Sequence, residues 1–190
     1  MRVPARVVVA SVASAALLAG CGADEVPGKP EAAEDGAGSP GDGVAVHEGA
    51  VDVLVEMPPG WRIRPEAAQG ATVIANAEAC GQDFCDNVNV LLDAAHGATA
   101  EEFHDVSLTE LDGIGELESE REVDVDGRTG YEVEYAGDLG MGQGDMRYLV
   151  RYTVVDDQAV IVTYTARPDT FDEWRADAEA MLESIEIRQP

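Results

Sequence analysis

Residues 117 to 165 read as a strand-rich block in which stretches of period-two alternation are separated by turn signals and a glycine-rich loop. Leu117 to Val125 ends at Asp126-Gly127, a dipeptide suited to a two-residue hairpin. The return segment, Gly130-Tyr131-Glu132-Val133-Glu134-Tyr135, puts Tyr131, Val133 and Tyr135 on one side and acids on the other. Beyond a glycine-rich loop, Met146, Tyr148, Val150, Tyr152 and Val154 alternate with Arg147, Leu149, Arg151 and Thr153. Asp156-Asp157-Gln158 then turns the chain into Ala159–Thr165, apolar enough for a central strand. Links this short join antiparallel neighbours, because a parallel pair needs a crossover of a dozen residues or more. A doubly wound parallel sheet is therefore excluded.

The same reading places strands at Val51–Met57, ended by Pro58-Pro59-Gly60, at Ala71–Ala75 and at Asn87–Leu92, where Val88 and Val90 share a face. Thr99-Ala100-Glu101-Glu102 is a capping box. Its helix runs to about Asp112, with Phe103, Ser107, Leu111 and Ile114 on one face, Leu108 at the margin, and Gly113 and Gly115 as the stop. A second helix opens at Pro168-Asp169, capped by Asp169 or Thr170, and spaces Phe171, Trp174, Ala178, Met181, Leu182 and Ile185 as a helix lying on a sheet does. Ile185–Ile187 forms a short last strand. The expected class is α+β, a mainly antiparallel sheet of six or seven strands flanked by two amphipathic helices.

The N-terminus reads as an address. Arg2 and Arg6 precede an apolar run, Val7 to Leu18, too short for a spanning helix. A basic start, a short apolar segment and small residues at the end make a secretory signal peptide. It closes on Leu18-Ala19-Gly20-Cys21, which resembles the bacterial lipobox. That resemblance implies a diacylglyceryl group on Cys21 and cleavage before it. Two or three acyl chains hold a protein stably without a basic patch. The separated arginines favour the general secretory route over the twin-arginine one. The expected organisation is a lipoprotein signal peptide at 1–20, the lipidated Cys21 with a flexible acidic tether at 21–46, and a globular domain at 47–190. In the tether, Pro27, Pro30 and Pro40 sit among glycines and acids, and no aromatic residue precedes Trp61. The expected location is the extracytoplasmic face of the cell membrane, anchored by lipid.

A net charge of −26, from 12 basic against 38 acidic residues, excludes a nucleic-acid partner, whose phosphates need a basic footprint. It also excludes a polybasic hold on anionic lipid. Cys80 and Cys85 lie five apart, between two of the strands. Outside the cytoplasm such a pair is expected to oxidise, and closing so short a loop stabilises by about 2 kcal/mol. Free thiols and a metal site are the alternatives. A metal would want four ligands, and no histidine is near.

Several short motifs, Val55-Glu56-Met57-Pro58-Pro59-Gly60-Trp61, Asn87-Val88-Asn89-Val90, Gly130-Tyr131-Glu132-Val133-Glu134-Tyr135 and Leu182-Glu183-Ser184-Ile185-Glu186-Ile187, make residues 48–188 resemble the PsbP-like family. Actinobacterial lipoproteins of the LpqN/LpqT type are the nearer likeness and DcrB a more distant one. The resemblance implies an α/β/α sandwich. Members include extrinsic photosystem subunits, a nuclear-import factor that binds the GTPase Ran, and envelope lipoproteins. What they share is binding or assembly without a common active site, and fold alone does not fix function.

The residues themselves offer little chemistry. His47, His96 and His104 are scattered, and none is expected to act as a metal ligand or base. No serine sits in a nucleophile elbow. The loop Gly137-Asp138-Leu139-Gly140-Met141-Gly142-Gln143-Gly144 lacks the Lys-Ser/Thr ending of a phosphate loop and precedes a strand, not a helix. Its Leu139 and Met141 are candidate partner contacts, as is Trp61. Arg147 and Arg151 are expected to pair across strands with Glu132 and Glu134, at no more than about 1 kcal/mol each. No catalytic residue, cofactor or metal is expected. The function expected is a non-enzymatic binding or accessory role toward an envelope protein, a lipid or a small apolar ligand. An envelope hydrolase using carboxylates in a cleft, or a passive surface spacer, are the competing readings. Oligomeric state is not readable.

Overall fold

The computed structural model describes residues 43–48, 51–64, 71–80, 84–138 and 144–189. Ten strands and two helices follow one another: β1 (Gly43–Glu48), β2 (Val51–Glu56), β3 (Trp61–Arg64), β4 (Ala71–Cys80), β5 (Cys85–Ala94), α1 (Ala100–Leu111), β6 (Glu116–Val125), β7 (Arg128–Gly137), β8 (Met146–Val155), β9 (Gln158–Ala166), α2 (Phe171–Glu183) and β10 (Glu186–Arg188). The principal sheet has seven strands in the order β3-β4-β5-β9-β8-β7-β6, every neighbour antiparallel. This is the α+β arrangement, a mainly antiparallel sheet with two helices, that the strand and helix patterns predict.

The four strands β6 to β9 form the meander read from the alternation. Asp126 and Gly127 both have positive φ (51° and 76°), as a two-residue turn twisting with its strands requires. Asp156 and Asp157 adopt the same left-handed backbone (48° and 65°) without a glycine. Asp157 is held there by its carboxylate, which accepts the Gly97 N–H, and by its carbonyl, which accepts the Ala95 N–H.

Two features differ from the expectation. The Val51 strand lies outside the principal sheet, in a three-stranded sheet of order β1-β2-β10. Pro58-Pro59-Gly60 redirects the chain there, with Gly60 at φ +89°, and β3 resumes in the other sheet. Residues 43–46, assigned to the tether, instead pair with β2, and Val44 is buried. The paired structure thus begins four residues before the expected boundary at 47, because β2 needs a partner along its outer edge.

The principal sheet has an apolar layer on each side. On one side Ile74, Val88, Val90, Leu149, Val160, Val162 and Tyr164 pack with Val51, Val53 and Val55 of β2 and with Phe171, Ala178, Met181 and Leu182 of α2. On the other, Leu91, Val133, Tyr135, Tyr148, Val150, Tyr152 and Ile161 pack with Phe103 of α1. The capping box of α1 is formed: Thr99 Oγ1 accepts the Glu102 N–H at 3.2 Å, and Glu102 Oε2 accepts the Thr99 N–H at 2.9 Å. Ile114, expected on the apolar face of α1, is 51% exposed because the helix stops at Leu111. Thr170 is the N-cap of α2 but its side chain makes no capping bond to the helix.

Candidate functional site

The face of the principal sheet that carries α1 is read from its register. Residues directly opposite each other across an antiparallel pair project to the same side. One row across the sheet is therefore Tyr135, Tyr148, Thr165, Asn87, Ala75 and Arg62. The next is Val133, Val150, Thr163, Asn89, Val73 and Arg64. Four short polar side chains, Asn87, Asn89, Thr163 and Thr165, thus form a square on the two central strands, and all four are buried. Helix α1 packs chiefly on β7 and β8, to one side of this square.

Buried polar atoms normally find partners. Asn87 does: its Nδ2 donates to the Cys85 carbonyl at 3.0 Å. Among the described residues Thr163 Oγ1 and the Tyr135 hydroxyl have none, although Thr163 is 2% exposed and Tyr135 likewise. Leaving such a group unbonded costs about 1–3 kcal/mol, and valine would fill the Thr163 position without that cost. Tyr135 and Tyr148 stack with ring centroids 4.6 Å apart at one end of the square. Burial pushes the Tyr148 phenol up to about 12, with the Asp138 charge adding to it, and raises Tyr135 further. Both stay neutral at ordinary pH and can only exchange hydrogen bonds. The face offers amide and hydroxyl groups beside apolar ones, and Arg62 and Arg64 stand at its β3 end.

At that end Cys80 and Cys85 are register partners joined by a disulfide, with Cα atoms 3.9 Å apart. The bond pins the turn end of the β4–β5 hairpin. Arg64 brings Nη2 to 3.6 Å from the Cys80 sulfur and 3.8 Å from the Cys85 sulfur.

His104, scattered in sequence, is buried on α1. Its Nδ1 lies 2.6 Å from the Tyr152 hydroxyl, its ring stacks on Tyr131 at 3.9 Å, and Nε2 is 3.9 Å from Glu120. The hydrogen bond docks α1 onto the sheet.

The opposite face holds the charges. Glu132 accepts from Arg151 (3.0 Å from Nε) and Arg121 (2.8 Å from Nε), and Glu134 from Arg147 (2.5 Å) and Arg175 (2.9 Å). Arg151 also donates to the Leu182 carbonyl at 3.0 Å, tying the sheet to the end of α2. Arg147 lies over the Phe171 ring at 4.2 Å. Glu132, Glu134 and Arg151 are 8%, 6% and 6% exposed, so these are not the surface pairs that alternation suggests. Helix α2 closes over them. Burial raises the pKa of Glu132, but its hydrogen bonds to Arg151 and Arg121 outweigh that and hold it below the ordinary value. Asp86, fully buried, is the opposite case: desolvation outweighs its bonds to Thr170 and to the Arg167 N–H and raises its pKa. The Arg167 charge lowers it and the nearby Asp169 carboxylate adds to the rise.

Trp61, a candidate partner contact, is 4% exposed. Its Nε1 donates to Asp177 at 2.8 Å and its ring meets Trp174 edge-on at 6.3 Å, so it serves the packing of α2. Cys21, Leu139 and Met141 lie outside the described residues. Asn89 and Thr163 were missed because an Asn-Val-Asn-Val alternation reads as half solvated until pairing shows β5 to be central.

No family model and no curated protein matches the chain. Solved structures do. LpqN of Mycobacterium tuberculosis, described as involved in cell envelope biogenesis, matches at TM-score 0.61 and 13% identity, over 78% of this chain and 91% of its own. The chain shares the fold of LpqN. A protein of unknown function from Pseudomonas aeruginosa, PA94, matches at TM-score 0.56 and 14% identity, over 79% of this chain and 99% of its own. The cyanobacterial PsbP of Synechocystis matches at TM-score 0.49 and 17% identity, over 84% of this chain and 100% of its own. The sandwich fold expected from the motifs is thus the observed one, and LpqN shares it. Among the described residues no helix is long and apolar enough to cross a membrane.

Proposed function

We propose that this chain is a lipid-anchored accessory protein of the cell envelope, which binds a neutral amphipathic ligand or an envelope partner through the α1 face of its principal sheet. The observation that carries binding is the pair of buried hydroxyls of Thr163 and Tyr135, without a partner among the described residues, on a face that also holds Asn87, Asn89 and Thr165. A sheet selected for stability alone would carry apolar residues there. Anchoring is supported by the Leu18-Ala19-Gly20-Cys21 ending, and an oxidising compartment by the Cys80–Cys85 bond. Envelope association is supported by the likeness to LpqN. In this reading residues 1–20 are removed, Cys21 carries the lipid, and the acidic segment that follows holds the domain off an anionic surface. A non-catalytic role is supported by the arginines that occupy both buried glutamates. Photo-crosslinking in intact cells from position 89 or 163 tests it. Recovery of a discrete lipid or envelope protein, lost when Asn89 is replaced by leucine, is expected. Crosslinks no different from those of a solvent-facing control position would overturn it.

A further inference from the structure

We propose that the Cys80–Cys85 disulfide is a thiol–disulfide exchange site, with Arg64 as the group that stabilises the departing thiolate and an external dithiol as the reductant. A disulfide serving only as a staple needs no cation at its sulfurs. Here the guanidinium stands 3.6 and 3.8 Å from the two, so whichever is attacked, the one that leaves has a positive charge beside it. Both cysteines are partly exposed, which gives an attacking thiolate access. The bond lies between the last residue of β4 and the first of β5, so exchange opens a strand end without breaking the ladder behind it.

The step balances with a dithiol. Its thiolate attacks one cysteine sulfur, the S–S electron pair departs on the other as a thiolate, and a mixed disulfide forms. The second thiol of the reductant, deprotonated, then attacks its own sulfur in that mixed disulfide and releases the second cysteine. Two electrons pass to the cysteine pair and the reductant becomes a cyclic or intramolecular disulfide. A carbonyl waits for one proton: the oxygen of Asn76 is 3.5 Å from the Cys80 sulfur, so Cys80 can rest as a hydrogen-bonded thiol while Cys85 keeps the charge. Cations lower thiol pKa values, and a less basic leaving thiol departs faster.

The experiment uses the full chain in detergent and dithiothreitol as the reductant. Reduction rates and the pH dependence of iodoacetamide alkylation are measured for wild type, Arg64→Gln and Arg64→Lys. The expected lower thiol pKa is about one unit or more below that of Arg64→Gln, and reduction is roughly threefold or more faster in wild type, with Arg64→Lys recovering part of both. Identical alkylation profiles and rates in wild type and Arg64→Gln would overturn the proposal. Should Arg64→Gln fail to fold, a wild-type lower thiol pKa at or above the ~8.5 of free cysteine would overturn it equally.

Discussion

Thr163→Val isolates the most unusual feature of the candidate face. The two side chains have nearly the same shape, and the threonine methyl and valine methyls occupy the same staggered positions. The substitution therefore removes one oxygen and little else. That oxygen is buried and has no partner among the described residues, and its removal should recover a desolvation cost of about 1–2 kcal/mol. For a domain of this size each kcal/mol moves the melting temperature by roughly 2–4 °C. Urea denaturation followed by tryptophan fluorescence measures the change, with Trp61 and Trp174 as reporters on the opposite face. An upward shift of the midpoint with an unchanged slope is expected, since the surface exposed on unfolding does not change. The same variant should lose the crosslinks described above. A loss of about 1 kcal/mol would show that the hydroxyl is bonded in the free protein, and the reasoning that makes this face a binding site would fall with it.

Three further outcomes follow from the opposite face and the sheet interior. Glu132→Gln leaves Arg151 buried without the carboxylate charge it pairs with and should cost about 3–5 kcal/mol, read from the urea midpoint. Because the Glu132 pKa is lowered on folding, its contribution is present above the ordinary carboxylate value and disappears as pH falls through the lowered one, so the cost of Glu132→Gln should shrink in acid. Asp86 has the reverse sign: its raised pKa favours folding while it is protonated, and that advantage is lost as pH rises through the folded value. Asp86→Asn should therefore stabilise at neutral pH, with the gain vanishing near pH 3, checked by melting temperature across that range. Gly130→Ala should destabilise by about 2–3 kcal/mol, since a Cβ there would stand 2.6 Å from the Tyr152 carbonyl oxygen; circular dichroism melting reads it.

The parts legible in the sequence are those with local causes. Asp126-Gly127 fixes a hairpin by backbone conformation, and Thr99 with Glu102 fixes a helix start by two hydrogen bonds. Neither depends on distant residues. The strands β1 and β3 were not legible for the same reason. Gly43–Glu48 is short and lies in a glycine- and acid-rich stretch, and Trp61–Arg64 has only four residues, so each is held by its neighbour more than by its own propensity. The candidate face depends on register. Asn89 meets Thr163 only because β5 pairs with β9, strands about seventy residues apart, and nothing near Asn89 announces that pairing. The glutamate–arginine pairs were legible as pairs but not as buried, because their burial comes from α2.

The account's central claim is attachment to a membrane through Cys21, and the intact mass of the protein extracted from its native membrane tests it most directly. A chain that begins at Cys21 and carries the added mass of a diacylglyceryl group is predicted, with Cys21→Ser left uncleaved and without lipid. A mature chain that begins elsewhere, or that bears no lipid and partitions into the soluble fraction, would contradict it.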